Sequence, residues 1–210
     1  MPITPKLPDS MYGAFVRYST DVSLMEYDDA QDYYVTSAGD ILLHDEQSGE
    51  QKVGIIKLWQ LYLEEAAQDN YSILDLLDED ADLQHLIDLF DFSHGCLSKE
   101  TLSTLGFEED DFIPLSNLLY IEMVRVEDKF KGMRIGLAAI DHAIRTFGCD
   151  LVALVPVPLQ FNEDWDGQVC TSYSKADKEA SSKALIKHYE RAGFSMVPET
   201  KVMVKNFKYI

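Results

Sequence analysis

Apolar and polar positions along the chain change period several times, and each change marks an expected element. Residues 11–18 (MYGAFVRY) read as a strand, and Ile41-Leu42-Leu43-His44 as another. Residues 53–63 (VGIIKLWQLYL) are apolar on both alternating faces, which predicts a central strand covered on each side. The polar stretch Asp45-Glu46-Gln47-Ser48-Gly49-Glu50 between the last two suits a hairpin connection. Three strands therefore precede any long helix, apart from a short helical stretch around 22–34. Residues 71–92 place Leu74, Leu77, Leu83, Leu86, Ile87 and Phe90 at helical spacing with acids between them, which predicts one or two amphipathic helices.

Residues 118–126 (LLYIEMVRV) form the next expected strand, followed after a short turn by a helix over about 134–147. Leu137, Ile140 and Ile144 share a face of that helix, and Gly148 stops it. The apolar run 149–158 (CDLVALVPVP) predicts a strand parallel to 118–126, because the two are joined through a helix. Ser174-Lys175-Ala176-Asp177 opens a last helix with a capping-box pattern, and 194–197 and 200–207 alternate around Pro198-Glu199 as a terminal hairpin. No repeat, low-complexity tract or long linker divides the chain, so residues 1–210 read as a single domain. The fold class expected is α/β (α+β): a mixed central sheet of six to seven strands with helices on both faces.

Charge narrows the functional classes. The net charge of −19 lies in the first half, where residues 1–115 hold 25 Asp and Glu against 5 Lys and Arg, while residues 116–210 hold 12 against 13. Nucleic-acid affinity depends on Lys and Arg displacing counterions, so this acidic surface argues against DNA or RNA and favours a cationic partner. No window approaches the roughly 18 apolar residues of a membrane span, and the opening MPITPKLPDSMYG lacks a signal-peptide layout; a soluble cytoplasmic protein is expected. Cys96, Cys149 and Cys170 form no CxxC pair and read as reduced, packed thiols. Asp78-x-Asp80-x-Asp82 departs from a calcium loop at its sixth position, Leu83, and its twelfth, Leu89. His94 and Cys96 lack a second ligand pair, so no metal site is expected.

The segment most suggestive of chemistry is Lys131-Gly132-Met133-Arg134-Ile135-Gly136, between a strand and a helix. The first N–H groups of a helix have no partner within it and make a socket for phosphate oxygens. Gly132 and Gly136 let a ligand or packed backbone come close, and Lys131 adds positive charge.

In this context the sequence resembles the GCN5-related N-acetyltransferase (GNAT) superfamily, whose signature is a strand ending near a Val, a turn, then Arg/Gln-x-x-Gly-x-Gly/Ala at a helix start. Val126, Phe130, Lys131 and Gly136 match it, and Tyr189-Glu190-Arg191-Ala192-Gly193-Phe194 matches a second family pattern, Tyr-x-x-x-Gly-Phe. The likeness covers 116–210 well and the first half only through strand order. Two positions depart from the pattern: Lys131 replaces the commoner Arg or Gln, and Arg134 stands where the first motif Gly is usual. Arg134 is expected to be helical, and its guanidinium could either bind a coenzyme phosphate or plug the socket.

The resemblance implies an acetyl-CoA-dependent N-acyltransferase that moves an acetyl group to a primary amine of a cationic small molecule or protein, with splayed fourth and fifth strands. It implies that the N–H groups of Gly132, Met133, Arg134, Ile135 and Gly136, with Lys131 beside them, hold the coenzyme A diphosphate. Val124 and Val126 would pair with the pantetheine amides, and Pro156 and Pro158 suit the splay. Tyr189 matches the general acid. Glu122 is the candidate base, because period two places it on the face of Val124 and Val126. The other class left open is a catalytically inactive GNAT-fold module that serves acidic interactions or binds acyl-CoA.

Overall fold

The computed structural model describes residues 11–21, 30–45, 49–108, 117–158 and 175–206. Three long strands come first: β1 (Met11–Asp21), β2 (Tyr34–Asp45) and β3 (Gly49–Leu61). Each runs antiparallel to the next, and a 3-10 turn at Ala30–Tyr33 leads into β2. A block of short elements follows: α1 (Leu63–Gln68), α2 (Ile73–Asp78), a 3-10 turn (Gln84–Leu89), a minimal hairpin of β4 (Phe90–Asp91) and β5 (Cys96–Leu97), and α3 (Lys99–Thr104). The second half supplies β6 (Leu118–Val126), α4 (Ile135–Phe147), β7 (Leu151–Leu154), α5 (Lys175–Glu190), β8 (Ser195–Met196) and β9 (Met203–Asn206).

One seven-stranded sheet in the order β1-β2-β3-β6-β7-β9-β8 joins both halves, and β6 with β7 is its parallel pair. The α+β class with a mixed sheet is as expected. Alternation along the strands separates two apolar layers. On one face Ile41, Ile56, Leu119 and Val152 meet Ala139, Ile140, Ala143 and Ile144 of α4, with Ile186 and Tyr189 of α5 packed at the margin. On the other, Leu61, Leu118, Leu151 and Ala153 meet Leu63, Leu76, Leu86 and Leu102 of the short elements. Fully burying a side chain of this size contributes about 1.5–3 kcal/mol, so both layers are needed to hold the sheet.

Several boundaries differ from the sequence reading for identifiable reasons. The expected amphipathic helix over 71–92 breaks after α2, where Asp80 Oδ1 accepts from the Asp82 N–H at 2.8 Å and turns the chain. The strand expected over 149–158 ends at Leu154, two residues before Pro156, which cannot donate to a ladder. The helices α1 and α3, six residues each, were not expected. Ser98 caps α3 by accepting from the Thr101 N–H at 3.3 Å. Leu137 is only partly buried, and the inward face of α4 is instead Ile135, Ala139, Ile140, Ala143 and Ile144. The loop at 160–167, Cys170 and Ser174 lie outside the described residues.

Two irregularities in β3 and β6 shape the site. Gly54 lies so close to β6 that a Cβ there would sit 2.3 Å from the Arg125 carbonyl oxygen. Register then slips between Lys57 and Leu58: Lys57 faces Met123 while Leu58 faces Ile121, leaving Glu122 as an extra residue without a partner. This is a β-bulge, and it reverses the phase of the side chains beyond it. No helix among the described residues is long and apolar enough to cross a membrane.

Candidate functional site

The parallel pairing of β6 with β7 ends at Ile121 and Leu154, while β6 continues to Val126. Past that point β6 is held only by β3 among the described residues, so the sheet opens into a fork between its fourth and fifth strands. α4 begins directly above the fork: a Cβ on Gly136 would lie 3.4 Å from Val124 Cγ1 and 3.6 Å from Val126 Cγ2. The first helical turn thus rests on the two valines, beside the open edge of their strand.

The chain reaches α4 through a 3-10 turn at Asp128–Phe130 and two residues with positive φ, Gly132 at 83° and Arg134 at 61°. Arg134 is not helical, as the sequence had suggested, but is the left-handed residue preceding the helix, with ψ 13°. The absence of a glycine there is a local strain, and it explains why glycine is favoured in such a turn. Donors around the turn can be accounted for one by one. The Met133 N–H points back to the Phe130 carbonyl at 3.4 Å, so it is not available as the sequence reading assumed. Those of Gly132, Arg134, Ile135 and Gly136 have no acceptor among the described residues, and no side chain caps the helix. Four N–H groups of one short segment are left for an anion.

Nearby charge is mostly positive. Lys131 Nζ is 2.5 Å from Asp128 Oδ1, and this contact holds the Asp128 carboxyl below the usual carboxylate range. Arg134 is exposed and makes no ion pair or hydrogen bond among the described residues. Burial, then the charges of Arg191 and Arg134, disfavour protonation of His188 on α5.

Tyr189, one residue on, is partly buried at the edge of the α4 layer with its ring edge-on to Phe194, centroids 6.0 Å apart. Burial pushes its phenol up to about 12, so the hydroxyl keeps its proton at neutral pH. The end of α5 is fixed by bonds from the Phe194 N–H to the Tyr189 carbonyl at 3.2 Å and from the Gly193 N–H to the Glu190 carbonyl at 3.0 Å, a Schellman closure.

Glu122 does not share the face of Val124 and Val126. The bulge carries the two valines over to the α4 side and leaves Glu122 on the side of Tyr120, where Trp59 Nε1 donates to Glu122 Oε2 at 3.0 Å and Lys57 Nζ lies 3.7 Å from Oε1. Period-two reasoning failed here because the inserted residue has no signature in the sequence. It also passed over Trp59 and Lys57, although their alternation with Ile56 and Leu58 marks them as residues of one face. The structure therefore brings Val124, Val126, Tyr189 and the 132–136 turn to one side of the fork and Glu122 to the other.

Other candidates resolve simply. His94 Nδ1 is bonded to Asp91 Oδ2 at 2.8 Å within the β4–β5 hairpin, and no group of three or more potential ligands among the described residues could hold a metal. An open hollow of about 360 Å³ on the outer sheet includes Arg17, Ser19, Asp40 and Lys52 in its lining. Its charges are spent on one another and on a neighbour, Arg17 on Glu50 at 2.8 Å and Lys52 on Asp40 at 2.5 Å. The chain matches no protein-family model, no curated protein and no solved structure.

Proposed function

We propose that the protein is an N-acetyltransferase of the GNAT superfamily, taking its acetyl group from acetyl-CoA and passing it to a primary amine. The observation that carries the reading is the coincidence of four N–H groups with no acceptor among the described residues, at Gly132, Arg134, Ile135 and Gly136, with a strand edge at Val124 and Val126 that pairs with no described strand beyond β3. A diphosphate suits the first and the amides of a pantetheine arm suit the second. Met133 drops out of the expected donor set, and Lys131, tied to Asp128, adds less charge than its position promised.

When bound, acetyl-CoA supplies the activated acyl group as a thioester. The residues around the fork would hold and move protons. An ammonium cannot act as a nucleophile, and the Glu122 carboxylate, aligned by Trp59, is placed to accept its proton from the face opposite α4. The Tyr189 phenol, neutral at physiological pH, is suited to donate a proton to the departing thiolate.

The test is thermal unfolding with and without acetyl-CoA. At 100 times its dissociation constant a ligand adds about 2.7 kcal/mol. At about 2–4 °C per kcal/mol for a chain of this size, Tm should rise by roughly 5–11 °C. A rise followed by amine-dependent thiol release supports the enzyme; a rise without release supports an acyl-CoA-binding module; no rise removes the coenzyme from the account.

A further inference from the structure

The side of the sheet that receives Glu122 holds a polar group that the fold leaves unused. Tyr120 is only 3% exposed, yet its hydroxyl has no hydrogen-bond partner among the described residues. Its oxygen is not sealed in, unlike that of Tyr18, which is both buried and unpaired. Tyr120 faces Trp59 across the β3–β6 ladder, and Trp59 in turn packs against Tyr34 with ring centroids 5.0 Å apart. Burial raises the Tyr120 phenol above its ordinary range, and the negative charges of Asp82, Glu122 and Asp80 raise it further.

Buried hydroxyls in native proteins are normally satisfied, and a hydroxyl in a negative field is poorly suited to an anion. A group that donates protons and carries positive charge fits. Lys57 already shows the chemistry, since its ammonium lies 3.7 Å from Glu122 Oε1, a loose contact that a better-placed ammonium can replace. Trp59 holds the other carboxylate oxygen, and its indole with the Tyr34 ring offers the aromatic surface that favours a cation.

We infer that Tyr120, Glu122, Trp59 and Tyr34 form a binding site for an alkylammonium group, with the Tyr120 oxygen accepting a hydrogen bond from the ammonium. The inference deepens the transferase reading by assigning the acceptor its own face of the sheet, on the far side of the fork from α4. The chemistry selects an unbranched aliphatic amine over a neutral alcohol or a carboxylate of the same length.

The test needs no coenzyme. In the full chain carrying Trp165→Phe, Trp59 is the sole tryptophan and its emission reports on the site. Titration with n-butylammonium chloride should change that emission saturably, while n-butanol and sodium chloride at equal ionic strength should not. Tyr120→Phe removes only an unpaired hydroxyl, so it should fold as well as the parent, yet bind the probe at least about fivefold more weakly. Glu122→Gln should weaken binding more than Tyr120→Phe does. Equal responses to butylammonium and butanol, or a Tyr120→Phe variant that binds like the parent, would overturn the inference. Because acetyl-CoA is absent, either result is independent of whether the coenzyme test succeeds.

Discussion

The left-handed turn at Arg134 offers the sharpest check on the local physics. A non-glycine residue at φ 61° and ψ 13° bears a Cβ clash worth about 1–2 kcal/mol. Arg134→Gly removes that clash and also loosens the unfolded chain, which costs about 0.5–1 kcal/mol. Arg134 is exposed and makes no hydrogen bond or ion pair among the described residues, so none of these is lost. The net expectation is a gain of about 0.5–1 kcal/mol, or a rise in Tm of roughly 1–4 °C. Arg134→Ala keeps the strain and removes the charge, so its Tm should match the parent. Calorimetric titration with acetyl-CoA then separates strain from charge. A partly exposed guanidinium against a phosphate contributes at most about 1 kcal/mol, so both variants should bind about fivefold more weakly. Tighter binding by both would mean that the guanidinium obstructs the socket. A fall in Tm for Arg134→Gly, or an equal rise for Arg134→Ala, would refute the strain argument.

Gly54→Ala should destabilise by about 2–3 kcal/mol, since its Cβ would meet the Arg125 carbonyl oxygen at 2.3 Å and must push β3 from β6; urea denaturation measures it. Stability should fall as pH rises above about 9. Tyr189 and Cys149 are both raised to about 12 in the folded state, from 10.0 and 9.0, so the unfolded chain sheds protons first. Their contribution is complete below pH 9 and is lost progressively towards pH 12, at up to about 1.4 kcal/mol per pH unit for each group. Cys149→Ala should flatten the early part of that decline, which urea melts at pH 8 and pH 10.5 would show. Tyr189→Phe should slow amine-dependent thiol release by tenfold or more while changing the acetyl-CoA dissociation constant by less than about twofold, as stopped-flow thiol detection and calorimetry can separate.

What could be read from the sequence follows from element length. The 13 residues of α4 span more than three turns, long enough for a 3.6-residue period to emerge, and Gly148 marks its end. Six residues in α1 and in α3 cover fewer than two turns, so Leu63, Ala66, Thr101 and Leu102 cannot declare a period, although Ser98 ahead of α3 was a visible cap. The 131–136 segment was recognisable as a strand-to-helix turn from its glycines. Its donor pattern was not, because which N–H turns inward depends on two left-handed residues, one of them an arginine that no propensity would place there. Trp59, Tyr120 and Glu122 converge only through the register of β3 on β6, a long-range property.

The bulge at Glu122 connects these observations. Without the inserted residue, Val124 and Val126 would keep the phase of Tyr120 and Glu122 and face the Trp59 side, instead of resting under Gly136 of α4. The bulge falls at the first residue beyond the last β6–β7 pair, where the sheet begins to open. One backbone irregularity thus puts Val124 and Val126 on the Tyr189 side of the fork while Glu122 stays on the other. In the proposed reaction the two protein groups need never approach each other, because the donor enters along Val124 and Val126 and the amine from the Trp59 side. The separation also keeps the carboxylate charge away from the anion-binding turn at 132–136, where it would oppose the diphosphate that the free N–H groups attract.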